Sequence, residues 1–220
     1  MQFAVWLLRF SAFVMIAFVR SARADETGPT LYKNDFEMAE AGKVPDELMV
    51  LSGEFEVKAD GTNKFLELPG TPLDSYAVLF GPVEKENDSV RARIFATAKG
   101  RRTPTFGVGL GGVSGFKLQV SPAKEALEIL KDQAAQTNVT FKWKSGTWTR
   151  FRLQVRKIKN GEWKIEGKAW AGDTPEPGDW MIALDTSEEP IPGKASVVAS
   201  PFSSTPIRFD DLVVERVTGK

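Results

Sequence analysis

Along residues 147–156 and 162–170, apolar and polar side chains alternate with a period of two, and the two runs flank Lys159-Asn160-Gly161. Phe151, Leu153 and Val155 share one face of the first run, and Trp163, Ile165, Gly167 and Ala169 share one face of the second. Opposite them lie Arg150, Arg152, Gln154 and Arg156, then Lys164, Glu166, Lys168 and Trp170. Successive strand residues point to opposite sides, so the pattern predicts an antiparallel hairpin with one face on a core. A two-residue Asn160-Gly161 loop sets Val155 opposite Glu166 and mixes the faces. A three-residue loop with Gly161 left-handed in a bulge instead pairs Val155 with Ile165, Leu153 with Gly167 and Gln154 with Glu166. A slip of one residue turns every side chain over, so the second register is the predicted one. It sets Arg150 opposite Trp170 on the polar face.

Short alternating runs recur along the chain. Phe55 and Val57 share a face within residues 54–58, and residues 76–80 are apolar throughout. In residues 89–96, Val90, Ala92, Ile94 and Ala96 read as inward, and Arg91, Arg93 and Phe95 as outward. Phe106, Val108 and Leu110 alternate with Gly107 and Gly109; Phe116, Leu118 and Val120 alternate with Lys117 and Gln119. Val139, Phe141 and Trp143 alternate in turn, and a last strand begins at Ile207 and Phe209. Turn signals such as Asp60-Gly61, Gly81-Pro82, Gly111-Gly112 and Ser145-Gly146 separate the runs. Residues 123–136 fit either a helix or a strand. Residues 171–194 form the longest connection, in which Trp180, Ile182 and Leu184 alternate and hint at one more short strand. Many short strands without intervening helices predict an all-β, two-sheet antiparallel jelly-roll β-sandwich. Trp143, Trp148 and Trp163 are assigned to its core.

The amino terminus changes the compartment. Residues 10–19 are almost wholly apolar, and Ala22-Arg23-Ala24 follows as an A-x-A signal. That is the length of a signal-peptide core and too short for a bilayer, which needs roughly 20 apolar residues. Residues 1–24 are therefore expected to be a cleaved signal peptide. Residues 25–220 then form a single β-sandwich domain, exported to the periplasm or outside the cell, with no membrane span after cleavage. Arg9, Arg20 and Arg23 leave with the leader, so an even balance of 29 basic and 29 acidic residues becomes slightly acidic. Nucleic-acid binding wants a strongly basic stripe and is not expected. There is no cysteine, so stability rests on the apolar core. There is no histidine either, which excludes Ser-His-Asp and Cys-His catalysis and ordinary zinc sites.

Several segments resemble a known group. Residues 146–155 (GTWTRFRLQV), 161–165 (GEWKI) and 207–214 (IRFDDLVV) are similar to late strands of bacterial concanavalin A-like (LamG-like) jelly rolls. Residues 32–37 (YKNDFE) look like their first strand. The resemblance covers about residues 31–217 and implies two facing antiparallel sheets, one concave, with ligands on the concave face or its rim. Its members include sugar-binding modules, lectins, laminarinase-type glycosidases and exported domains of unknown role, so fold alone says little about function.

Three chemistries are weighed. Laminarinase-like members carry an E-x-D-x-x-E strand, because retaining hydrolysis needs two carboxyls about 5–5.5 Å apart. This chain lacks that run: Glu54 and Glu56 stand two apart without a third acid, and Glu84 and Glu86 read as a solvated turn. Sugar binding pairs an aromatic platform with a few polar groups, for which Trp170, Arg150 and Phe95 are the candidates, with Arg91 and Arg93 on the same sheet. The competing reading is that the next loop caps Trp170, through Pro175 or Pro177, while Arg150 stacks on it structurally. The resemblance also implies a structural Ca²⁺ between first and last strands, matched in position by Asp35 and Asp210. Against it, Asp210-Asp211 reads as a bulge whose carboxylates accept backbone N–H groups. Arg152 and Arg156 are expected to pair with Glu166 on a solvated face. Asn87-Asp88-Ser89 and Asn138-Val139-Thr140 are sequons that matter only in a eukaryotic host. The expected role is an exported, non-catalytic carbohydrate- or surface-interaction module, its partner a glycan or cell-envelope component. A carboxylate glycosidase and a structural envelope protein are the alternatives.

Overall fold

The computed structural model describes residues 27–70 and 75–218, and the expected signal peptide lies outside them. In chain order the strands begin with β1 (Thr27–Asn34), β2 (Met49–Ser52), β3 (Glu56–Asp60), β4 (Asn63–Leu68) and β5 (Tyr76–Glu84). Next come β6 (Asp88–Ala96), β7 (Thr105–Leu110), β8 (Phe116–Ser121), β9 (Ala126–Lys131) and β10 (Ala134–Thr140). The last five are β11 (Thr147–Lys159), β12 (Glu162–Ala171), β13 (Ile182–Thr186), β14 (Gly193–Ser200) and β15 (Ile207–Val217). They form two antiparallel sheets packed as a jelly-roll sandwich. The eight-stranded sheet runs β13-β12-β11-β6-β15-β4-β3, with β1 also on β15; the seven-stranded sheet runs β10-β9-β8-β7-β14-β5-β2.

The inward sets read from the alternation make the core. Val90, Ile94, Phe151, Leu153, Ile165 and Phe209 of one sheet meet Val78, Phe80, Phe106, Leu118, Ile129 and Val197 of the other. Gly167 belongs to this set for a steric reason. A Cβ there would lie 2.6 Å from Leu118 Cδ1 of the facing sheet, so the missing side chain is the socket for a leucine. The hairpin adopts the expected register, with Val155 on Ile165, Leu153 on Gly167, Gln154 on Glu166 and Arg150 on Trp170. Its irregularity differs in place. Lys159 pairs with Glu162 across a two-residue Asn160-Gly161 turn, and the shift falls between Lys157 and Lys159, at exposed Ile158. Gly161 has φ 75°, as the turn requires.

Other expectations are resolved or corrected. Residues 123–136 are not a helix. After a short 3₁₀ turn, Pro122–Lys124, they form most of the β9–β10 hairpin, because Leu127 and Ile129 both point into the core. Trp163 is a core residue, and Trp143 packs at the core edge against Phe106. Trp148 is not: it shares the outward face with Arg150 and sits between Phe65 and Phe95, under the Arg93 guanidinium. Glu84 and Glu86 are not a solvated turn. Glu84 takes a bidentate pair from Arg216 at 2.8 and 3.0 Å. Glu86 accepts the Trp163 indole N–H at 2.6 Å, which with Lys157 holds its carboxyl below the ordinary range.

Asp88, at the start of β6, is 2% exposed and one of its carboxylate oxygens has no partner. Burial, reinforced by Glu84, pushes its pKa from 3.8 up to about 7, against the pull of Arg216. A raised carboxyl costs stability once it ionises. Its contribution is intact below about pH 4 and is lost as pH rises through 7, by a few kcal/mol at roughly 1.4 kcal/mol per unit. Asp88→Asn is therefore expected to raise the melting temperature at pH 8 and leave it nearly unchanged at pH 4, which paired thermal melts would check.

Candidate functional site

Strand pairing lays the polar side chains of the eight-stranded sheet in rows. Lys168, Arg152 and Arg91 are direct neighbours across β12, β11 and β6. Three like charges abreast repel one another unless an anion is supplied. The anion comes from the connection after β12. Glu176 bonds Lys168 at 2.9 Å, Arg152 at 3.0 Å and Arg91. Lys168 also donates to the Pro177 carbonyl at 2.8 Å, and the Trp180 ring covers Lys168 and Arg152 at 4.6 and 5.4 Å. The loop thus closes this part of the face and leaves the row inside rather than in solvent: Arg152 is 3% and Lys168 2% exposed. Burial opposes the charge of Glu176, but Lys168, Arg152 and Arg91 outweigh it and hold the carboxyl below its ordinary range. The expected solvated face is thus corrected to a buried one. Arg156 does pair with Glu166, at 2.9 Å, and Arg152 pairs with Glu176 at 3.0 Å.

The next row is Trp170, Arg150, Arg93 and Asp210. Arg150 donates through Nε to the Gly172 carbonyl at 3.2 Å and faces Asp211 at 3.7 Å. Trp170 is 7% exposed and its indole N–H has no protein partner. Both border a cleft of about 280 Å³ with Lys33, Arg91, Asp211 and Glu215. Its guanidiniums already face its carboxylates: Arg91 with Glu215 and Arg150 with Asp211. Phe95 is one row away, packed on Trp148 and under Arg208. The structure therefore brings Trp170 and Arg150 together and leaves Phe95 apart.

Asp210 is fully buried at a bulge between Asp210 and Val213, where β15 exchanges its neighbour β4 for β1. Arg93 bonds its carboxylate at 2.6 Å and Asn63 at 3.0 Å, and the Asp211 N–H donates to it at 2.7 Å. Asp35 is half exposed and pairs with Lys33 at 3.4 Å. Among the described residues no three carboxylates converge. A guanidinium seated on Asp210 occupies the place a cation would take, so these donors do not fit Ca²⁺.

The seven-stranded sheet presents a different surface. Its outward rows are Leu79, Ser196, Gly109, Lys117 and Leu130, then Ala77, Val198, Gly107, Gln119 and Glu128. Gly107 and Gly109 are themselves buried, and the trough on this face is edged by Val198 and Gln119, which flank Gly107. A Cβ at Gly107 would lie 2.0 Å from the Leu118 carbonyl oxygen, and one at Gly109 2.6 Å from Ser196 Oγ. Leu51, Val113, Val198 and Tyr76 wall a cleft of about 170 Å³, into which Lys117, Gln119, Ser75 and Ser200 open. Gln119 donates to Ser121, and Glu128 is held by Ser121 and by Lys124 at 2.9 Å. Sequence reasoning noted the Gly107/Gly109 and Lys117/Gln119 alternation only as a strand signal.

No protein-family model matches the chain, and no curated protein matches it in sequence. Solved structures do match. The carbohydrate binding module CBM66 from Bacillus subtilis superposes with TM-score 0.52 at 8% identity, covering 77% of this chain and 95% of that one. The Emp46p carbohydrate recognition domain gives TM-score 0.54 at 10% identity, over 87% and 96%. The Crh5 transglycosylase gives 0.55 at 10%, over 88% and 89%. The fold is that of the concanavalin A-like jelly rolls. Within this concanavalin A-like frame, the chain carries one polar face closed by its own loop and, on the other sheet, a small cleft edged by Val198, Gln119 and Lys117.

Two measurements follow from this geometry. Glu176→Gln keeps shape but removes the carboxylate that Lys168, Arg152 and Arg91 share, and is expected to cost roughly 2–4 kcal/mol at pH 7, somewhat below a fully enclosed pair. A depressed carboxyl stabilises fully above its unfolded value near 4.5 and loses that as pH falls through the folded one, so the wild-type advantage should fade in acid. Denaturant titrations at both pH values check it. For calcium, melts with and without EDTA are expected to coincide, since an ion bound only to the native state raises its stability.

Proposed function

We propose that the chain is a non-catalytic carbohydrate-binding module that acts outside the cytoplasm on a glycan or cell-envelope component, through the trough of the seven-stranded sheet. The cleft in this trough carries the reading. Sugars offer apolar C–H faces and hydroxyl edges, and the cleft sets Leu51, Val113, Val198 and Tyr76 beside Lys117, Gln119, Ser75 and Ser200. Its size suits one ring of an extended chain rather than a drug-sized molecule. Solved relatives in fold include a carbohydrate binding module and a carbohydrate recognition domain, which supports the reading without assigning a ligand.

The absence of a second acid on this face supports binding over hydrolysis. The strands of the seven-stranded sheet contain two carboxylates, Glu84 and Glu128. Glu84 is taken by Arg216 at the sheet's end, which leaves Glu128 without the partner that glycoside hydrolysis needs.

A glycan array on wild type, Gln119→Ala and Arg150→Ala tests the proposal. The wild type is expected to bind at least one glycan class, Gln119→Ala to weaken it roughly three- to tenfold, and Arg150→Ala to leave it unchanged. Arg150 is the better control for the other face, because Trp170 is buried and its removal would unsettle the fold. The reverse pattern would move the site to the Arg150–Trp170 cleft, and no binding by any variant would overturn the sugar-binding reading.

A further inference from the structure

Lys117 stands apart from the other buried cations of the described residues. It is 6% exposed, in the middle of β8, yet it makes no hydrogen bond and no ion pair. Lys168 and Arg152, buried to a similar degree on the opposite sheet, share the Glu176 carboxylate. Burying an ammonium without a counter-charge is costly, so sites that do it are usually completed by a ligand or carry a shifted pKa. Burial does push the Lys117 ammonium below the ordinary lysine range, against an upward pull from the Asp132 charge.

Its immediate surroundings are close-packed and, among the described residues, give it no hydrogen-bonded anion. Lys117 stands across from Gly109, whose missing Cβ would fall 3.3 Å from Lys117 Cγ and 2.6 Å from Ser196 Oγ. Ser196 is 1% exposed and its hydroxyl also lacks a partner. Glu128, the one carboxylate on the neighbouring strand of this face, is turned to Ser121 and Lys124. The part of Lys117 left open faces the cleft that also holds Gln119, Ser200 and Tyr76.

We propose that Lys117 is the counter-ion of a carboxylate-bearing sugar, so that the trough selects uronate-containing glycans over neutral ones. This rests on the trough being the sugar-binding surface. Pairing this unpartnered, partly desolvated ammonium with a carboxylate forms a charge-assisted hydrogen bond at the edge of the protein interior, where it is stronger than in water. Gln119 and Ser200 then serve the ring hydroxyls, and Val198 and Leu51 its apolar face.

The test is calorimetric titration with oligogalacturonate, oligomannuronate and oligoglucuronate, each beside its methyl ester, and with matched neutral oligosaccharides. Methyl esterification removes the charge and keeps the sugar. At least one uronate is expected to bind about tenfold or more tightly than its ester, and Lys117→Met to erase that difference while ester binding persists. Methionine keeps the unbranched stem, and a melt of the variant checks folding. Should the variant not fold, reductive methylation of the wild type gives a second readout: uronate is expected to protect Lys117, and the ester to leave it reactive. Equal binding of uronate and ester would overturn the role of Lys117 and leave the sugar-binding reading standing. Binding of no oligosaccharide would overturn both.

Discussion

The row Lys168, Arg152 and Arg91 sets the terms for one whole side of the molecule. Antiparallel pairing of β12, β11 and β6 forces the three cations abreast, and none can leave the row without the strand register changing. Glu176 resolves the repulsion, and in doing so it draws the connection after β12 down onto the sheet. Trp180 then lies on the same cations, and Gly172 comes close enough to Trp148 for their backbones to bond at 2.7 Å. One carboxylate therefore turns a polar, outward-facing sheet surface into a second buried layer.

The two sheets use glycine in opposite ways. Gly167 lies inside and is a socket for Leu118, which locks the facing sheets together. Gly107 and Gly109 lie on the outward side of the central strand of the other sheet, where the Leu118 carbonyl and Ser196 leave no room for a Cβ. The unpaired ammonium on that side contrasts with the closed side, where the buried cations meet protein carboxylates.

The Asp210–Asp211 bulge is the hinge of the topology. On its amino-terminal side β15 pairs with β4, and on its carboxy-terminal side with β1, while β6 follows β15 on the opposite edge. Asp211 takes φ 51° to absorb the change. Arg93, Asn63 and the Asp211 amide satisfy the Asp210 carboxylate there, so the acid serves the exchange of neighbours.

Alternation along the chain determined the strands, the inward sets and the hairpin register, because a period of two is a local property and one buried face punishes any slip. It also placed Arg150 beside Trp170. Tertiary structure decided what became of the polar faces. Glu176 is 24 residues from Arg152 and 85 from Arg91, and no periodicity links them. Trp148 shows the same limit: its spacing from Arg150 puts it outward, yet Phe65, from a strand far away in sequence, gives it an apolar neighbour there. Whether an outward side chain meets water, a loop or a ligand depends on long-range contacts, and these form only when distant segments close over the sheet.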